Sequence, residues 1–395
     1  MHSCPITVMS GRAQLGGSCS HPRQLRREFG CMSLETGSEM HSQTVVVGVD
    51  SHKATHYAAV LTEQGALLAV HPFDASTDGY LQLYQWVQTF GVVAKFGVEC
   101  TGSFAAGLTR FLVARGADVA EVNVPHRHTR ARRGKSDSID AETAARHVLT
   151  GAARILPKVT TGVVESIRML LLTRDSAVGA RTVALQQLQD VLVTAPSQLR
   201  EQMNFKRGKG AVKGCAQLQP DPAKLHEPMH GAMSVLRSLA LRINDLNQEI
   251  SRLDGQLDAL VASTAPTLKS AMGIGTVNGA QLIVTAGENI GRLRSEAAFA
   301  RLCGVAPIPA SSGKNSRMRL HRGGDRRANR ALYMIAVCRL RYDQRSIDYV
   351  TRRTTEGLSK RDGIRCLKRY IAREVYQALV SDLTADRPKQ QSCTT

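Results

Sequence analysis

The chain has 395 residues, enough for two or three domains, and its formal net charge is +19. A balance this basic favours a polyanionic partner such as DNA or RNA. Nine cysteines without a single CxxC pair exclude zinc-ribbon and thioredoxin-like sites and are typical of reduced thiols in a cytoplasm. No apolar run is long enough to span a membrane, so the composition predicts a cytoplasmic protein without a membrane partner.

Residues 1–43 contain scattered basic residues, several Gly and Ser, and no hydrophobic periodicity. They lack the apolar core of a signal peptide. We therefore expect residues 1–43 to be a disordered extension, with Met40 as an alternative start, and residues 383–395 to be a disordered tail.

An α/β domain is predicted over residues 44–152. A β-branched run from Thr44 to Asp50 opens it, and the later elements follow in the order β-β-β-α-β-α-β-α. The predicted elements after the first strand are strands at 57–61 and 66–73, a helix at 79–89, a strand at 95–99, a helix at 104–115, a strand at 117–122 and a helix at 138–149. This order is that of a ribonuclease-H-like mixed sheet, in which the fourth strand lies beside the first.

Residues 153–262 carry heptad patterns that predict long helices. Between Leu236 and Leu260, apolar residues alternate three and four positions apart, which is typical of a coiled coil or a helical hairpin. A weaker seam runs from Val164 to Leu192, and the Gly- and Lys-rich segment 204–224 between the two is expected to be a flexible connection. Self-association into a homo-oligomer and an intramolecular hairpin both explain the pattern.

The third unit, residues 263–382, is predicted to be mostly helical. Met272-Gly273-Ile274-Gly275 resembles the turn of a helix-hairpin-helix element, in which glycine amides approach a phosphate at a helix start. A basic stretch from Arg352 to Arg373 is predicted to form a C-terminal helix.

Four carboxylates are candidates for a catalytic metal site. Asp50 ends the first strand and Glu99 the fourth, while Asp137 and Asp140 lie three residues apart at a helix start and therefore share a face. Clustered carboxylates suit a pair of Mg²⁺ ions, which activate a nucleophile and stabilise the leaving oxygen of a phosphodiester. Taken singly, the two helical residues could instead cap the helix, and Asp50 could simply end a strand.

The sequence resembles the insertion-sequence-110 family of transposases from about Thr44 to Leu379, without the first 40 residues. The motifs that carry the resemblance are, in chain order, Gly48-Val49-Asp50 with His52-Lys53, Gly97-Val98-Glu99 with Thr101-Gly102, Lys135-Ser136-Asp137-Ser138-Ile139-Asp140-Ala141, Leu302-Cys303-Gly304-Val305-Ala306-Pro307, Ser311-Ser312-Gly313-Lys314, and Arg322-Gly323-Gly324-Asp325 with Ala328-Asn329.

This resemblance implies a RuvC-like domain with a D-E-D-D tetrad and a serine nucleophile that forms a covalent 5′-phosphoserine link to DNA. The serine corresponds to Ser312, with Ser311 as the alternative. It also implies a DNA recombinase of the bacterial cytoplasm, associated with the nucleoid, that uses a structured RNA from its own element as a guide.

Basic residues flank both parts of this candidate site, where a polyanion must be held. They are expected to contact phosphates, which adds salt dependence rather than sequence preference. The residues are Arg130, Arg132, Arg133 and Lys135 before the helical carboxylates, and Lys314, Arg317, Arg319, Arg322, Arg326, Arg327 and Arg330 around the serine.

Two other functions fit the same residues. A junction-resolving nuclease that uses water would need the tetrad but not Ser312. A catalytically inactive nucleic-acid-binding protein would need neither. All five residues are present, so no loss of the motifs is visible.

Overall fold

The computed structural model describes residues 43–122, 136–203, 208–311, 318–321 and 323–385. The predicted extension up to residue 42, the basic segment 123–135 and the tail from residue 386 onward lie outside these ranges.

A five-stranded mixed sheet forms the first part of the described chain. Its strands are β1 (Thr44–Ser51), β2 (Thr55–Thr62), β3 (Leu67–Asp74), β4 (Val92–Glu99) and β5 (Val119–Val122), in the order β3-β2-β1-β4-β5. β1 pairs antiparallel with β2 and parallel with β4. The predicted placement of the fourth strand beside the first is therefore confirmed.

Helices cover both faces of this sheet because alternate residues of a strand point to opposite sides. α1 (Thr77–Gln88) and α2 (Ala106–Ala114) pack on the face that carries Val47 and Val49. α3 (Asp137–Leu149) packs on the other face, against Val46. Asp50 is an even-numbered residue of β1 like Val46, so it lies on the α3 side.

The middle of the chain is an antiparallel helical hairpin of α4 (Val163–Thr194) and α7 (Pro228–Thr264). Arg174 pairs with Asp254, and Arg181 Nη1 donates to Asn247 Oδ1 at 3.0 Å. Moving seven residues forward along α4 thus moves the contact seven residues back along α7. Of the two uses predicted for these helices, the intramolecular hairpin is the arrangement within this chain.

The heptad pattern identified the buried face of α7 correctly. Leu236, Ile243, Ile250 and Leu257, each seven residues apart, are buried. On α4 the buried face differs from the predicted seam by one position, since Ala177 and Ala184 are buried whereas Val178 and Leu185 of that seam are only partly buried.

The connection between the two long helices is not simply flexible, as its composition had suggested. It contains α5 (Ser197–Gln202), α6 (Lys209–Ala216) and a short 3₁₀ turn at Pro222–Lys224. Val212 and Cys215 of α6 are buried against α7, which explains why a Gly-rich stretch is helical here.

The last unit is mostly helical, as predicted. Its elements are α8 (Pro266–Ser270), α9 (Thr276–Ala286), α10 (Glu296–Leu302), the short hairpin strands β6 (Pro307–Pro309) and β7 (Met318–Leu320), α11 (Arg326–Tyr342), α12 (Gln344–Thr355) and α13 (Lys360–Ala385). The prediction of one basic helix over 352–373 was wrong, because a turn at Gly357, with φ of 95°, separates α12 from α13.

The predicted glycine turn lies between α8 and α9. Gly273 has a φ of 79°, and Arg339 Nε of α11 donates to the carbonyl oxygen of Met272 at 2.9 Å. The turn is thereby fixed against α11, while phosphate binding by its amides stays a prediction. None of the described helices combines the length and the low polarity that a membrane span requires.

Candidate active site

Two of the four predicted carboxylates lie at the ends of neighbouring strands. β1 and β4 run parallel with Val49 opposite Val98, so Asp50 and Glu99 follow side by side on the α3 face. Both are buried, with 7% and 4% of their surface exposed. Ser51 Oγ donates to the carbonyl oxygen of Glu99 at 3.0 Å, which joins the two strand ends.

Helix α3 approaches these strands closely because glycines lie beneath it. Gly48 is opposite Gly97 in the β1–β4 register. A methyl group at Gly48 would overlap the backbone nitrogen of Ala145 and the carbonyl oxygen of Ala141. At Gly97 it would lie 2.9 Å from the carbonyl oxygen of Ala144. The backbone of α3 therefore rests directly on the sheet, and this contact sets the depth of its first turn.

That first turn carries the other two carboxylates. Asp137 is the first residue of α3, and Asp140 in the same turn is buried with 6% exposed. Neither Asp137 nor Asp140 is the N-cap of α3, since Ser136 occupies that position. Both carboxylates still benefit from the partial positive charge of the helix start.

His52 joins the strand end to the helix start. Its Nε2 lies 3.1 Å from Oδ2 of Asp50 and 3.2 Å from Oδ1 of Asp137. The ligand atoms of Asp50, His52 and Asp137 all lie within 4.8 Å of one another, a spacing at which one cation could contact all three.

The electrostatics of Asp50 reflect this crowding. Burial raises the pKa of Asp50 above its ordinary value, and the charges of Asp140 and Asp137 raise it further, while His52 opposes the shift. The charges of Asp140 and Asp137 thus disfavour the charged form of Asp50, and a divalent cation would relieve this repulsion.

The serine part of the predicted site is described only at its edges. Ser312 lies outside the described residues, and Ser311 is exposed. The two residues lie along the chain between β6 and β7, which pair antiparallel with Ile308 opposite Arg319. The predicted phosphate-binding residues outside the described ranges are Arg130, Arg132, Arg133, Lys135, Lys314, Arg317 and Arg322.

The other predicted phosphate-binding residues lie on β7 and at the start of α11. Arg319, Arg326 and Arg330 are exposed, whereas Arg327 forms an ion pair of 3.4 Å with Asp175 of α4. Asp325, the only acid in this basic stretch, caps α11 by accepting from the backbone nitrogens of Arg327 and Ala328.

The sequence did not reveal the contacts of two further residues, His52 and Lys368. His52 was quoted within a motif but was not predicted to contact two carboxylates, although its position two residues after Asp50 places it on the same face. Lys368 was overlooked inside the basic stretch 352–373. It is buried, with 9% exposed, and its Nζ donates to Asn329 Oδ1 at 2.7 Å.

Two family models match the chain and together cover more than half of it. A DEDD transposase model of the IS110 type matches residues 47–195, which include all four carboxylates. A model described as the IS116/IS110/IS902 transposase family matches residues 265–351, which include Ser312.

Two curated relatives agree with these matches. One is an uncharacterised 42 kDa protein of insertion element IS900 from Mycobacterium paratuberculosis, 24% identical over 376 residues, covering 83% of this chain and 94% of that protein. The other is an uncharacterised 43.6 kDa protein of insertion element IS110 from Streptomyces coelicolor, 30% identical over 130 residues, or 31% of each chain.

The chain with this mixed sheet and helical C-terminal region is thus a transposase, an enzyme that cuts and rejoins DNA. The chain belongs to the IS116/IS110/IS902 family, and the expected resemblance is confirmed.

Proposed function

We propose that this transposase moves its insertion element with a divalent-metal site of Asp50, Glu99, Asp137 and Asp140 and with Ser312 as the nucleophile. The proposal rests above all on the convergence of Asp50, His52 and Asp137 at the end of β1 and the start of α3. The family assignment implies divalent-metal use and DNA binding in general terms. The particular residues are our assignment.

The sheet domain is best interpreted as RuvC-like, a form of the ribonuclease-H fold. The strand order β3-β2-β1-β4-β5 supports this interpretation, because it places Asp50 beside Glu99. Helix α3, seated on Gly48 and Gly97, carries Asp137 and Asp140 in its first turn.

The donor set fits Mg²⁺, a hard cation that prefers carboxylate oxygens. Asp50, Glu99, Asp137 and Asp140 would hold a pair of such ions. When bound, the ions would lower the pKa of an attacking hydroxyl and neutralise charge on the leaving oxygen. His52 would orient Asp50 and Asp137 through its Nε2.

Ser312 would carry the bond exchange. Its Oγ forms a bond to phosphorus as the bond from phosphorus to the 3′ oxygen breaks. The serine gives up its proton and the 3′ oxygen takes one up, which leaves a 5′-phosphoserine and a free 3′ hydroxyl. A 3′ hydroxyl from another DNA end then attacks the same phosphorus and releases the serine. No phosphodiester energy is lost, so joining needs no nucleotide cofactor.

The basic residues near the four carboxylates and near Ser312 would hold the DNA strands through their phosphates. The described members Arg319, Arg326 and Arg330 are exposed, which supports this role. We further propose a guide RNA as a partner, a homo-oligomer assembled through the long helices, and action in the cytoplasm at the nucleoid. If Ser312 and the tetrad of one active site come from different subunits, the enzyme is inactive until it assembles on its nucleic acid.

Strand cleavage separates this function from the two alternatives. The substrate is a duplex that carries the joined element ends, supplied with RNA transcribed from the element's flanks. Wild type, Asp50→Asn, Ser312→Ala and Ser311→Ala are compared in Mg²⁺ and in EDTA. We expect cleavage only by wild type and Ser311→Ala, and only with Mg²⁺.

Two other outcomes would support the alternative functions. Cleavage that survives Ser312→Ala but not Asp50→Asn would establish a nuclease that uses water. DNA binding without cleavage by wild type under every condition would establish an inactive binding protein.

A further inference from the structure

We propose that a cavity at the base of the β6–β7 hairpin binds a phosphate group of the DNA strand that Ser312 attacks. The proposal deepens the serine mechanism above by naming the residues that hold its substrate. The cavity has a volume of about 300 Å³, at the small end of ligand sites. Its lining includes Gly304, His321, Arg326, Asn329, Arg365 and Lys368.

The cavity concentrates positive charge. Arg326, Arg365 and Lys368 line one small volume, and among the described residues the ion pair of Asp362 is with Arg365. Within the described residues, neither Lys368 nor Arg326 forms an ion pair with a carboxylate. A buried ammonium without a counter-charge is costly, so an anion in the cavity would stabilise this arrangement.

Lys368 is the deepest of these cations. It is 9% exposed, and burial followed by the charge of Arg365 lowers the pKa of its ammonium. One of its three donors is used by Asn329 Oδ1. The Nδ1 atom of His321 is also buried and has no hydrogen-bond partner within the described ranges. The lining therefore offers donors to a ligand that brings acceptor oxygens, as a phosphate does.

Residues that line the cavity also contact the chain on both sides of the hairpin. Asn329 Nδ2 donates to the carbonyl oxygens of Cys303 and Gly304, both at 3.0 Å, while its Oδ1 accepts from Lys368. Gly304 packs so closely against Gly324 that a methyl group on Gly324 would overlap the Gly304 backbone. The chain thus enters and leaves the hairpin at the wall of the cavity.

The position favours DNA at the reacting strand over other polyanions. Arg365 and Val305 also line a neighbouring cavity of about 640 Å³, together with Pro307, Met318 and Arg319 of the hairpin strands. Ser312 follows Pro309 by three residues, and the chain can separate their Cα atoms by at most about 11 Å. A strand held in the cavity and its neighbour would therefore lie beside the described hairpin strands that flank the proposed nucleophile in the sequence.

Single methylphosphonates, each of which removes the charge of one phosphate, test the assignment. The probe is the duplex with the joined element ends plus flank RNA, with one methylphosphonate moved stepwise along the strand. Binding is measured for full-length protein carrying Ser312→Ala, so that no reaction interferes. Lys368→Gln and Arg326→Gln are each added to this background, and Lys213→Gln, an exposed lysine of α6, is the matched control.

We expect one methylphosphonate position at which the Ser312→Ala protein loses about tenfold in affinity. Lys368→Gln and Arg326→Gln should bind unmodified DNA several-fold more weakly and show no further loss at that position, while losses elsewhere persist. Lys213→Gln should keep the full profile. Because Arg326 is exposed, its variant keeps the test valid if Lys368→Gln fails to fold.

Two results would overturn the proposal. One is an unchanged methylphosphonate profile in both cavity variants. The other is weakened binding to the RNA alone with unchanged binding to DNA, which would assign the cavity to RNA. Since binding is the readout, a positional match without any DNA–serine adduct would keep the phosphate site and reject only the serine mechanism.

Discussion

Gly48 of β1 lies directly opposite Gly97 of β4, and α3 rests on this pair. The two glycines are followed two residues later by Asp50 and Glu99 on the same face. One arrangement therefore sets both the strand carboxylates and the height at which α3 brings Asp137 and Asp140 to them. A side chain at either glycine would lift the helix away from the strand ends.

Gly48→Ala tests this contact. The added methyl overlaps the backbone of α3 at Ala141 and Ala145, where no side-chain rotation can relieve it. We expect a loss of at least about 3 kcal/mol in the free energy of unfolding, at the upper end of overpacking costs. Denaturant titration measures the loss.

Gly255→Ala is the control, because the space around Gly255 in α7 is open. It should stabilise the protein by up to about 1 kcal/mol through helix propensity. Equal and small effects of both substitutions would show that the packing of α3 does not depend on its contact with Gly48 and Gly97.

Asp50→Asn should separate stability from function. Burial and the charges of Asp140 and Asp137 raise the pKa of Asp50, so in EDTA the neutral amide should leave the melting temperature equal to that of wild type or higher. Mg²⁺ at a hundredfold excess over its Kd should stabilise wild type by about 2.7 kcal/mol and so raise its melting temperature. It should not raise that of the variant.

Asp190→Asn, an exposed residue of α4, should behave as wild type in both conditions. A Mg²⁺ response that survives Asp50→Asn would remove this residue from the metal site.

Ile243→Ala tests the helical hairpin. Ile243 is 1% exposed at the contact of α7 with α4, so truncation should cost about 2–5 kcal/mol. Because the contact lies within one chain, the loss should not depend on protein concentration. Leu241→Ala, at a position 45% exposed, should change stability by less than about 0.5 kcal/mol. A melting temperature that rises with concentration only in wild type would assign Ile243 to a contact between subunits.

His56 predicts an acid sensitivity. It is fully buried on β2, stacks on Tyr80 at 5.6 Å between ring centroids, and burial lowers the pKa of its imidazole below the ordinary 6.5. The nearby charge of His52 acts in the same direction. As the pH falls through 6.5, the unfolded chain binds a proton that the folded chain does not, so folding stability is lost.

The loss attributable to this one group is at most about 1.4 kcal/mol per pH unit. His56→Phe should therefore reduce the drop in unfolding free energy between about pH 7.5 and 5.5, measured by denaturant titration in parallel with wild type. An identical drop in both proteins would mean that His56 is protonated in the folded state.

Local pattern predicted the sheet well and the contacts between distant elements less well. The β-branched run of β1 and the position of Glu99 at the end of β4 were sufficient to predict that Asp50 and Glu99 are neighbours, because strand order constrains both. The helix at Ser138–Leu149 was also recognised from its own residues, and the structure begins it one residue earlier.

What pattern could not supply was three-dimensional proximity without a local signal. His52 contacts Asp137 across 85 positions of sequence, and Lys368 contacts Asn329 between helices that no periodicity relates. The segment 204–224 was misjudged for a similar reason, since burial of Cys215 against α7 outweighs the low helix propensity of its glycines. Ser312 remains a prediction that rests on its motif.

In the proposed mechanism, Ser312 becomes covalently joined to DNA at a site that needs the carboxylates. Mass spectrometry of peptides from a reaction of full-length protein, joined-end DNA, flank RNA and Mg²⁺ tests it most directly. We expect a nucleotide adduct on Ser312 that is absent with EDTA, with Asp50→Asn and with Ser312→Ala. Cleaved DNA with no peptide adduct, or an adduct that forms equally without Asp50, would contradict it.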